Sequence, residues 1–171
     1  MARIDGFLKI ESPTVTGEAE DSKHQGEIQI LAWGWKMTNS STVNFGTGSG
    51  SGKVNIGELV VVKNTDKATS SLIKSATRGT HFGNATLILR KATGDTQLEY
   101  LKLEMKEVFV TSLEQGDLNN TDPEFAEQQV ETVKFTFRAF KITYQPQGEA
   151  GAGTGDQLVA QYDIKTNSDT F

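Results

Sequence analysis

The fold is decided by the stretch DSKHQGEIQILAWGWKM, which runs from Asp21 to Met37. From Glu27 onward the stretch has the alternation of a β-strand, in which successive side chains point to opposite faces. One predicted face carries Gln29, Leu31, Trp33, Trp35 and Met37. The other carries Ile28, Ile30, Ala32, Gly34 and Lys36. Both faces are apolar at the centre, which predicts a strand covered on both sides, by a barrel interior and by a helix or another subunit.

The only two tryptophans of the chain stand two residues apart on one face of this strand. A buried tryptophan removes roughly 150–250 Å² of surface from water, so the pair can fill much of a small barrel. The predicted barrel core on this strand is therefore Leu31, Trp33 and Trp35.

Length and composition limit the class of protein. The 171 residues fit one domain, predicted to span 1–171, and a domain of this size can bury about 70% of its unfolded surface. The absence of cysteine excludes disulfides, cysteine zinc sites and thiol nucleophiles. The net charge of −5, without a Lys/Arg stripe interleaved with aromatics, argues against a nucleic-acid partner.

The N-terminal residues MARIDGFLKIESP lack the basic region and apolar run of a signal peptide. No segment approaches the roughly 20 apolar residues of a membrane-spanning helix. We therefore expect neither a general secretory signal nor a membrane span. If such a protein leaves the cell, a dedicated machine must export it.

The remaining pattern predicts a mainly β chain of about eight strands with one helix at about 66–79. Asp66 is the predicted N-cap of the helix, and Gly79 stands where a C′ glycine belongs. The run QLEYLKLEMKEVFVTSL is too long for one strand, so a bend or bulge near Lys106-Glu107 is expected to split it. LVAQYDIKTN is expected to close the sheet or to exchange with a neighbour. The last long strand places Val133, Phe135, Phe137 and Ala139 on one face, with Thr132, Lys134, Thr136, Arg138 and Phe140 on the other.

A Gly/Ser/Thr-rich stretch, TNSSTVNFGTGSGSG, follows the tryptophan strand. Two interpretations stay open, a flexible hairpin connector and an arm that reaches a neighbouring subunit. Its end, GSGSGK, imitates a phosphate-binding loop, but Thr47 and Val54 occupy positions where that motif needs Gly and Ser/Thr. A predicted strand follows in place of a helix, so nucleotide binding is rejected.

The residues assemble no recognisable active site. His24 and His81 lie outside any metal-binding spacing, and there is no GxSxG motif. A calcium loop starting at Asp117 would need glycine at its sixth position and glutamate at its twelfth, where the chain has Asp122 and Gln128. We therefore predict no catalytic residue, no metal and no cofactor, and we do not expect an enzyme.

Several longer segments match one family closely. They are FLKI, TGEAEDSKHQGEIQILAWGW, GKVNIGELVVVKNTDKATSSLIKSATRGTHFGNATLILRKATGDTQLEYLKLEMKEVFVTSL and YQPQ. With these segments the chain resembles the haemolysin-coregulated protein (Hcp) family, the tube subunits of bacterial type VI secretion systems. The resemblance covers nearly the whole chain and is strongest over 17–35 and 52–113. The loop 114–129 and the Gly-rich tail before Leu158 depart from the family pattern.

The resemblance implies a small β-barrel of two packed antiparallel sheets with one flanking α-helix. It also implies that six copies form a ring and that stacked rings form a hollow tube. In this family a contractile sheath drives the tube outward, a spike protein sits at its tip, and small effectors travel in its bore. The protein is then expected in the cytoplasm before firing and outside the cell afterwards.

Within that assembly, Ala32, Gly34 and Lys36 are predicted to face the bore or a neighbouring subunit. The arm is predicted to contact an adjacent ring or subunit through Ser40, Ser41, Thr42, Val43, Asn44 and Phe45. The alternative is a monomeric small-ligand-binding β-barrel in which the tryptophan face lines a pocket. A weaker alternative is a hydrolase that uses one of the two histidines.

Overall fold

The computed structural model describes residues 4–40, 54–93, 96–116, 129–148 and 153–171. These residues form nine strands and one helix. In chain order they are β1 (Asp5–Glu11), β2 (Ile28–Gly34), β3 (Met37–Asn39), β4 (Val54–Ile56), β5 (Leu59–Asn64), α1 (Ala68–Arg78), β6 (His81–Thr93), β7 (Thr96–Gln115), β8 (Val130–Tyr144) and β9 (Leu158–Asp163).

Seven of the strands form one antiparallel sheet in the order β5-β2-β1-β6-β7-β8-β9. A further pairing of β5 with β8 closes the first six strands into a barrel. One edge of β8 pairs with two strands, with β5 along residues 130–135 and with β9 along residues 139–144. Strands β3 and β4 form a separate two-stranded ribbon. The predicted mainly β barrel with one flanking helix is thus confirmed.

The tryptophan strand β2 differs from simple alternation. The ladder between β2 and β5 shifts register between Ile30 and Ala32. An extra residue in one strand reverses which face the following side chains occupy. As a result Ile28 and Ile30 lie in the core, and Trp33 and Trp35 pack half buried against that same core. The prediction had placed the two isoleucines on the face opposite the tryptophans.

Leu31 lies at this register shift and had been assigned to the barrel core. It is half buried and does not belong to the core cluster. The twelve largest of the fully buried side chains lie elsewhere in the structure. Besides Lys63, these are Phe135, Leu8, Ile10, Ile28, Ile30, Leu59, Leu72, Leu87, Leu89, Leu103 and Met105.

In strands β6, β7 and β8 the alternation of core-facing and outward-facing side chains is interrupted at neighbouring positions. Two rows of paired core residues stand three positions apart along each strand. The first row consists of Phe82, Val108 and Phe137, and the second consists of Ala85, Met105 and Phe140. Alternation would place residues three apart on opposite faces, so the strands bend between the two rows. This bend buries Phe140, which had been predicted to point away from Phe137.

The bend coincides with an irregular backbone conformation at Glu107, whose φ is +48°. The side chain of Glu107 accepts a hydrogen bond of 2.6 Å from Arg138 Nη1 on the neighbouring strand. The irregularity lies where the sequence predicted it. It does not split the strand, however, since β7 continues from Thr96 to Gln115.

The single helix in the described residues packs Ala68 and Leu72 into the barrel core. The carboxylate of Asp66 accepts a hydrogen bond of 2.9 Å from the Ala68 backbone N–H, which satisfies one donor of the first turn. Gly79 ends the helix in the left-handed conformation, with its N–H donated to the Ser75 carbonyl. The predicted glycine thus ends the helix, whereas at its start Lys67 occupies the N-cap position and Asp66, one residue earlier, supplies the hydrogen bond to the first turn.

A buried ionic cluster fastens the start of this helix to the barrel. Lys63 on β5 is fully buried, and its Nζ lies 3.0 Å from Glu131 Oε2 on β8 and 2.8 Å from Asp66 Oδ1. Glu131 also accepts hydrogen bonds from Thr69 on the helix and from Gln115 on β7. Burial alone would raise the pKa of Glu131, but the hydrogen bonds from Gln115, Lys63 and Thr69 outweigh it and lower that pKa.

Candidate functional site

Three adjacent strands, β2, β5 and β8, present an outward face of small and apolar side chains. Its members stand in two rows across the strands. The first row consists of Gly34, Val60 and Lys134, and the second consists of Ala32, Val62 and Thr132. The alternate positions Leu59, Val61 and Val133 are fully buried in the core. Because side chains alternate along a strand, the two rows point away from the core. We call these two rows the small-residue face.

The small-residue face opens into a shallow depression with a volume of about 340 Å³. The residues that line it are Gly34, Trp35, Lys36, Gly57, Glu58, Val60 and Lys134. Among the described residues other than its two chain neighbours, no atom lies within 4 Å of the point where a Cβ on Gly34 would stand, so the space above this residue is open. A larger side chain at position 34 would project into the depression.

Trp35 fixes the floor of the depression. Its indole Nε1 donates a hydrogen bond of 3.0 Å to the Gly57 carbonyl, and its ring meets Phe140 edge-on at 4.8 Å between centroids. A Cβ on Gly57 would lie 2.9 Å from the Lys36 carbonyl oxygen, so only glycine fits where the two segments cross. The tryptophan thereby ties the end of β2 to the chain that leads into β5.

The structure places the predicted bore-facing residues as follows. Gly34 and Lys36 are exposed and line the depression, and Ala32 is half buried on the small-residue face. Sequence reasoning missed the other members of the face because they come from β5 and β8. The available signal was the alternation of Val60 and Val62 with buried neighbours, which locates an outward face but not the strand beside it.

The ribbon β3–β4 forms the base of the predicted arm. It starts three residues after Gly34, and Met37 on it is 49% exposed. Ser40 is exposed. Ser41, Thr42, Val43, Asn44 and Phe45 lie outside the described residues, so their predicted contacts stay a prediction.

Strand β9 forms an open edge of the main sheet. Within the described ranges β8 is its only strand partner, and at its far end Asp163 forms a bridge with Ser168. Leu158 is 61% exposed, Val159 is 52% exposed, and Tyr144 opposite Leu158 is 42% exposed. An open strand edge with apolar side chains is a template for contact with another chain. We call this strand with Tyr144 the β9 edge.

The two histidines lie in different places. His24 is buried in the loop before β2, with its Nδ1 2.9 Å from Glu27 Oε2. His81 starts β6 and its ring lies 5.3 Å from that of Phe109. Across the described part of the chain, neither imidazole is hydrogen-bonded to a serine. The same residues contain no cluster of three or more His, Asp or Glu side chains suited to a metal ion.

Comparison with known proteins identifies the family. A family model described as "Type VI secretion system effector, Hcp" matches residues 7–144. The chain belongs to the Hcp family. The resemblance found in the sequence is thereby confirmed. Hcp proteins are structural proteins of a secretion system and are not a known enzyme family.

The relatives of this Hcp chain match it over almost its full length. Protein hcp1 of Pseudomonas aeruginosa is 37% identical over 164 residues, covering 96% of this chain and 97% of that protein. The crystal structure of Hcp1 from Salmonella typhimurium is 32% identical with a TM-score of 0.77, covering 99% of this chain and 100% of that one. A solved structure described as a type six secretion system protein has a TM-score of 0.83 at 25% identity, with coverages of 98% and 99%.

No helix among the described residues is long and apolar enough to cross a bilayer.

Proposed function

We propose that this Hcp protein is a structural subunit of the type VI secretion inner tube. Six copies form a ring, and rings stack into a hollow tube that a contractile sheath drives out of the cell behind a spike protein. Small effectors travel in the bore. The observation that carries the proposal is the pairing of an Hcp fold with an outward face of small residues on β2, β5 and β8.

The small-residue face is the proposed wall of the bore. Along β2 it offers Ala32 and Gly34, whose side chains occupy little space, and the valines beside them leave the surface apolar. A wall of short side chains keeps a channel wide. Lys36, Glu58 and Lys134 line the depression and are the charged groups that passing effectors would meet.

Closing a ring requires a heterologous interface, in which two different patches of one subunit meet around the axis. The β9 edge is the proposed first patch, because its exposed Leu158 and Val159 would be covered by the next copy. The arm that leaves β3 is proposed to contact an adjacent ring or subunit. Deleting residues 44–51 should then weaken ring stacking more than it weakens folding.

Cysteine labelling tests the position of the bore. The chain has no native cysteine, so Gly34→Cys carries the only thiol. In assembled tubes this thiol should react with a small maleimide and resist one attached to a polymer too large for the bore. Lys23→Cys, on the exposed loop before β2, is the control and should react with both. A Gly34→Cys thiol that resists even the small reagent would argue for burial in an interface.

A charge on the β9 edge tests the ring contact. Val159→Glu should reduce ring formation measured by light scattering, because a carboxylate would have to be desolvated in the interface. Lys9→Glu, at an exposed position on β1, is the matched strand control and should assemble normally. Normal assembly of a folded Val159→Glu protein would remove the β9 edge from the interface.

The alternative, a monomeric ligand-binding barrel, rests on the depression that Trp35 lines. Trp33 and Trp35 pack against the core, and the indole N–H of Trp35 is already donated to Gly57. Light scattering separates the two functions, since a stable monomer at high concentration would favour the ligand-binding barrel.

A further inference from the structure

Strand β9 leaves part of its outer edge open where its side chains are most apolar. Within the described ranges β8 pairs with one side of β9, and the bridge from Asp163 to Ser168 occupies the far end of the other side. The near end carries Leu158 and Val159, the two most exposed large apolar residues among those described. Lysine or proline often protects an open edge, and β9 contains neither. This end of β9 is therefore suited to pair with another strand.

The ribbon of β3 and β4 has a second open edge. Strand β3 pairs with β4 alone in the part of the chain that the structure describes, and all three of its residues are exposed. Ile56 on β4 packs against the barrel core, so the free side of the ribbon is that of β3. A two-stranded ribbon is marginally stable by itself in water, and a third strand stabilises it. Strand β3 also lacks lysine and proline.

The two open edges are different patches of one chain, which is what a ring needs. A closing ring has a heterologous interface, in which one patch of each subunit meets another patch of the next subunit. If β3 covers β9, both open edges of every subunit are covered around the ring. A contact of β9 with a second β9 would be isologous and would leave β3 open.

The lengths of the two strands define one register. All eight strand pairs of the described structure are antiparallel. The three residues of β3 match the three residues at the open end of β9. Aligned antiparallel, the pairs between the strands are Met37 with Ala160, Thr38 with Val159, and Asn39 with Leu158.

In this register the ribbon continues the core-facing row of the sheet. That row runs across β7, β8 and β9 through Leu103, Ile142 and Ala160. Met37 of the next copy, with its ribbon partner Ile56, would add two more apolar side chains to it. A slip of one residue would move Met37 to the opposite face of the sheet, so the apolar row selects this register.

The outward-facing row matches as well. It runs through Lys102, Thr143 and Val159, of which the first two are polar. Thr38 of the next copy, with its ribbon partner Asn55, would continue the row with polar side chains. Thr38 and Val159 are both β-branched, and such side chains pack well as a cross-strand pair. The two faces of the ribbon thus agree with the two faces of the sheet that it would extend.

We propose that β3 of one copy adds to the open edge of β9 of the next copy, antiparallel and with Thr38 opposite Val159. The inference rests on the proposed ring and deepens it, because it names the second patch of the ring interface and its register. The main sheet of each subunit is then extended by the ribbon of its neighbour. Backbone hydrogen bonds between the strands supply affinity, and the apolar row supplies the register.

Disulfide trapping in the assembled full-length protein tests the pairing. The chain has no native cysteine, so Thr38→Cys/Val159→Cys carries only the two thiols that report on the contact. Both positions are exposed in a single copy, so this variant should fold. Opposite residues of an antiparallel pair have Cα atoms about 4.5–5.5 Å apart, within the roughly 4.4–6.8 Å that a disulfide spans. Oxidised rings, denatured without reductant, should give covalent multimers up to the closed ring.

The off-register control is Thr38→Cys/Ala160→Cys, whose thiols point to opposite faces and should leave single chains on the same gel. Single-chain bands from Thr38→Cys/Val159→Cys, in samples whose rings are visible by electron microscopy, would overturn this inference and leave the proposed function standing. Equal cross-linking of the off-register control would overturn it too, as would covalent dimers of Val159→Cys alone, which indicate a β9-to-β9 contact. Failure of the wild type to form rings would instead contradict the proposed function, and this inference with it.

Discussion

Removing Lys63, the buried lysine of the ionic cluster, is predicted to destabilise the barrel strongly. Lys63→Met keeps a side chain of similar length but takes away the cation that lies 3.0 Å from Glu131 and 2.8 Å from Asp66. Glu131 is fully buried and would retain only its hydrogen bonds from Thr69 and Gln115. A buried carboxylate without a counter-charge is the reason for the expected instability.

The expected cost is about 3–5 kcal/mol, the range for leaving one partner of a buried ion pair alone. In a domain of this length about 1 kcal/mol lowers the unfolding temperature by roughly 2–4 °C, so the loss should be roughly 6–20 °C. The double variant Lys63→Met/Glu131→Gln removes the stranded charge as well. It should therefore be more stable than Lys63→Met alone.

Urea unfolding at a fixed protein concentration measures these free energies. The control is Lys9→Met, which removes an exposed lysine paired with Glu11 across the surface of β1 and should change stability by less than about 0.5 kcal/mol. A Lys63→Met protein within about 1 kcal/mol of the wild type would refute the reasoning. A double variant less stable than the single one would refute it equally.

Two further predictions concern the loop before β2. A methyl group on Gly17 would lie 2.3 Å from the backbone oxygen of Glu27. Gly17→Ala should therefore lower the free energy of unfolding by at least about 1–3 kcal/mol. Gly34→Ala is the control, because the space around Gly34 is open, and it should leave the free energy of unfolding almost unchanged in the same urea titration. The pKa of Asp21 is lowered from 3.8 to about 2, chiefly by the hydrogen bond from Arg90, so its contribution to stability is present above pH 3.8 and is lost as the pH falls through about 2. Asp21→Asn should therefore be less stable than the wild type at about pH 7, and the difference should shrink towards about pH 2 in acid unfolding; a constant difference would contradict the assignment.

The features that the sequence predicted correctly depend on neighbours along the chain. Gly79 ends the helix and Asp66 lies within two residues of its start, because the interactions that end a helix involve only one turn. Val133, Phe135 and Phe137 were placed together because alternation holds over an uninterrupted strand. The family was recognised separately, from the resemblance of long sequence segments, chiefly 17–35 and 52–113.

The features that escaped prediction arise from irregular backbone or from distant pairing. The register shift beside Leu31 reverses the faces of β2, and many residue types tolerate such a bulge, so the alternation alone does not reveal it. Glu107 adopts a positive φ that glycine or asparagine normally signals. Charged residues such as Lys63 and Glu131 are normally exposed. The sequence does not reveal their burial, because the ion pair between them joins positions 68 residues apart.

The extent of the proposed bore wall also escaped prediction because it depends on strands that are distant in sequence. Ala32, Gly34 and Lys36 were identified from one strand, while their neighbours Val60 and Lys134 come from two others. A sequence pattern locates an outward face, but only the strand order shows how wide that face is.

Electron microscopy of the purified full chain tests the central claim most directly, namely that copies of this barrel enclose a channel. Negatively stained particles at high concentration should be rings of six subunits around an open centre, with some stacked into short tubes. Particles that remain single small globules at every concentration would contradict the account.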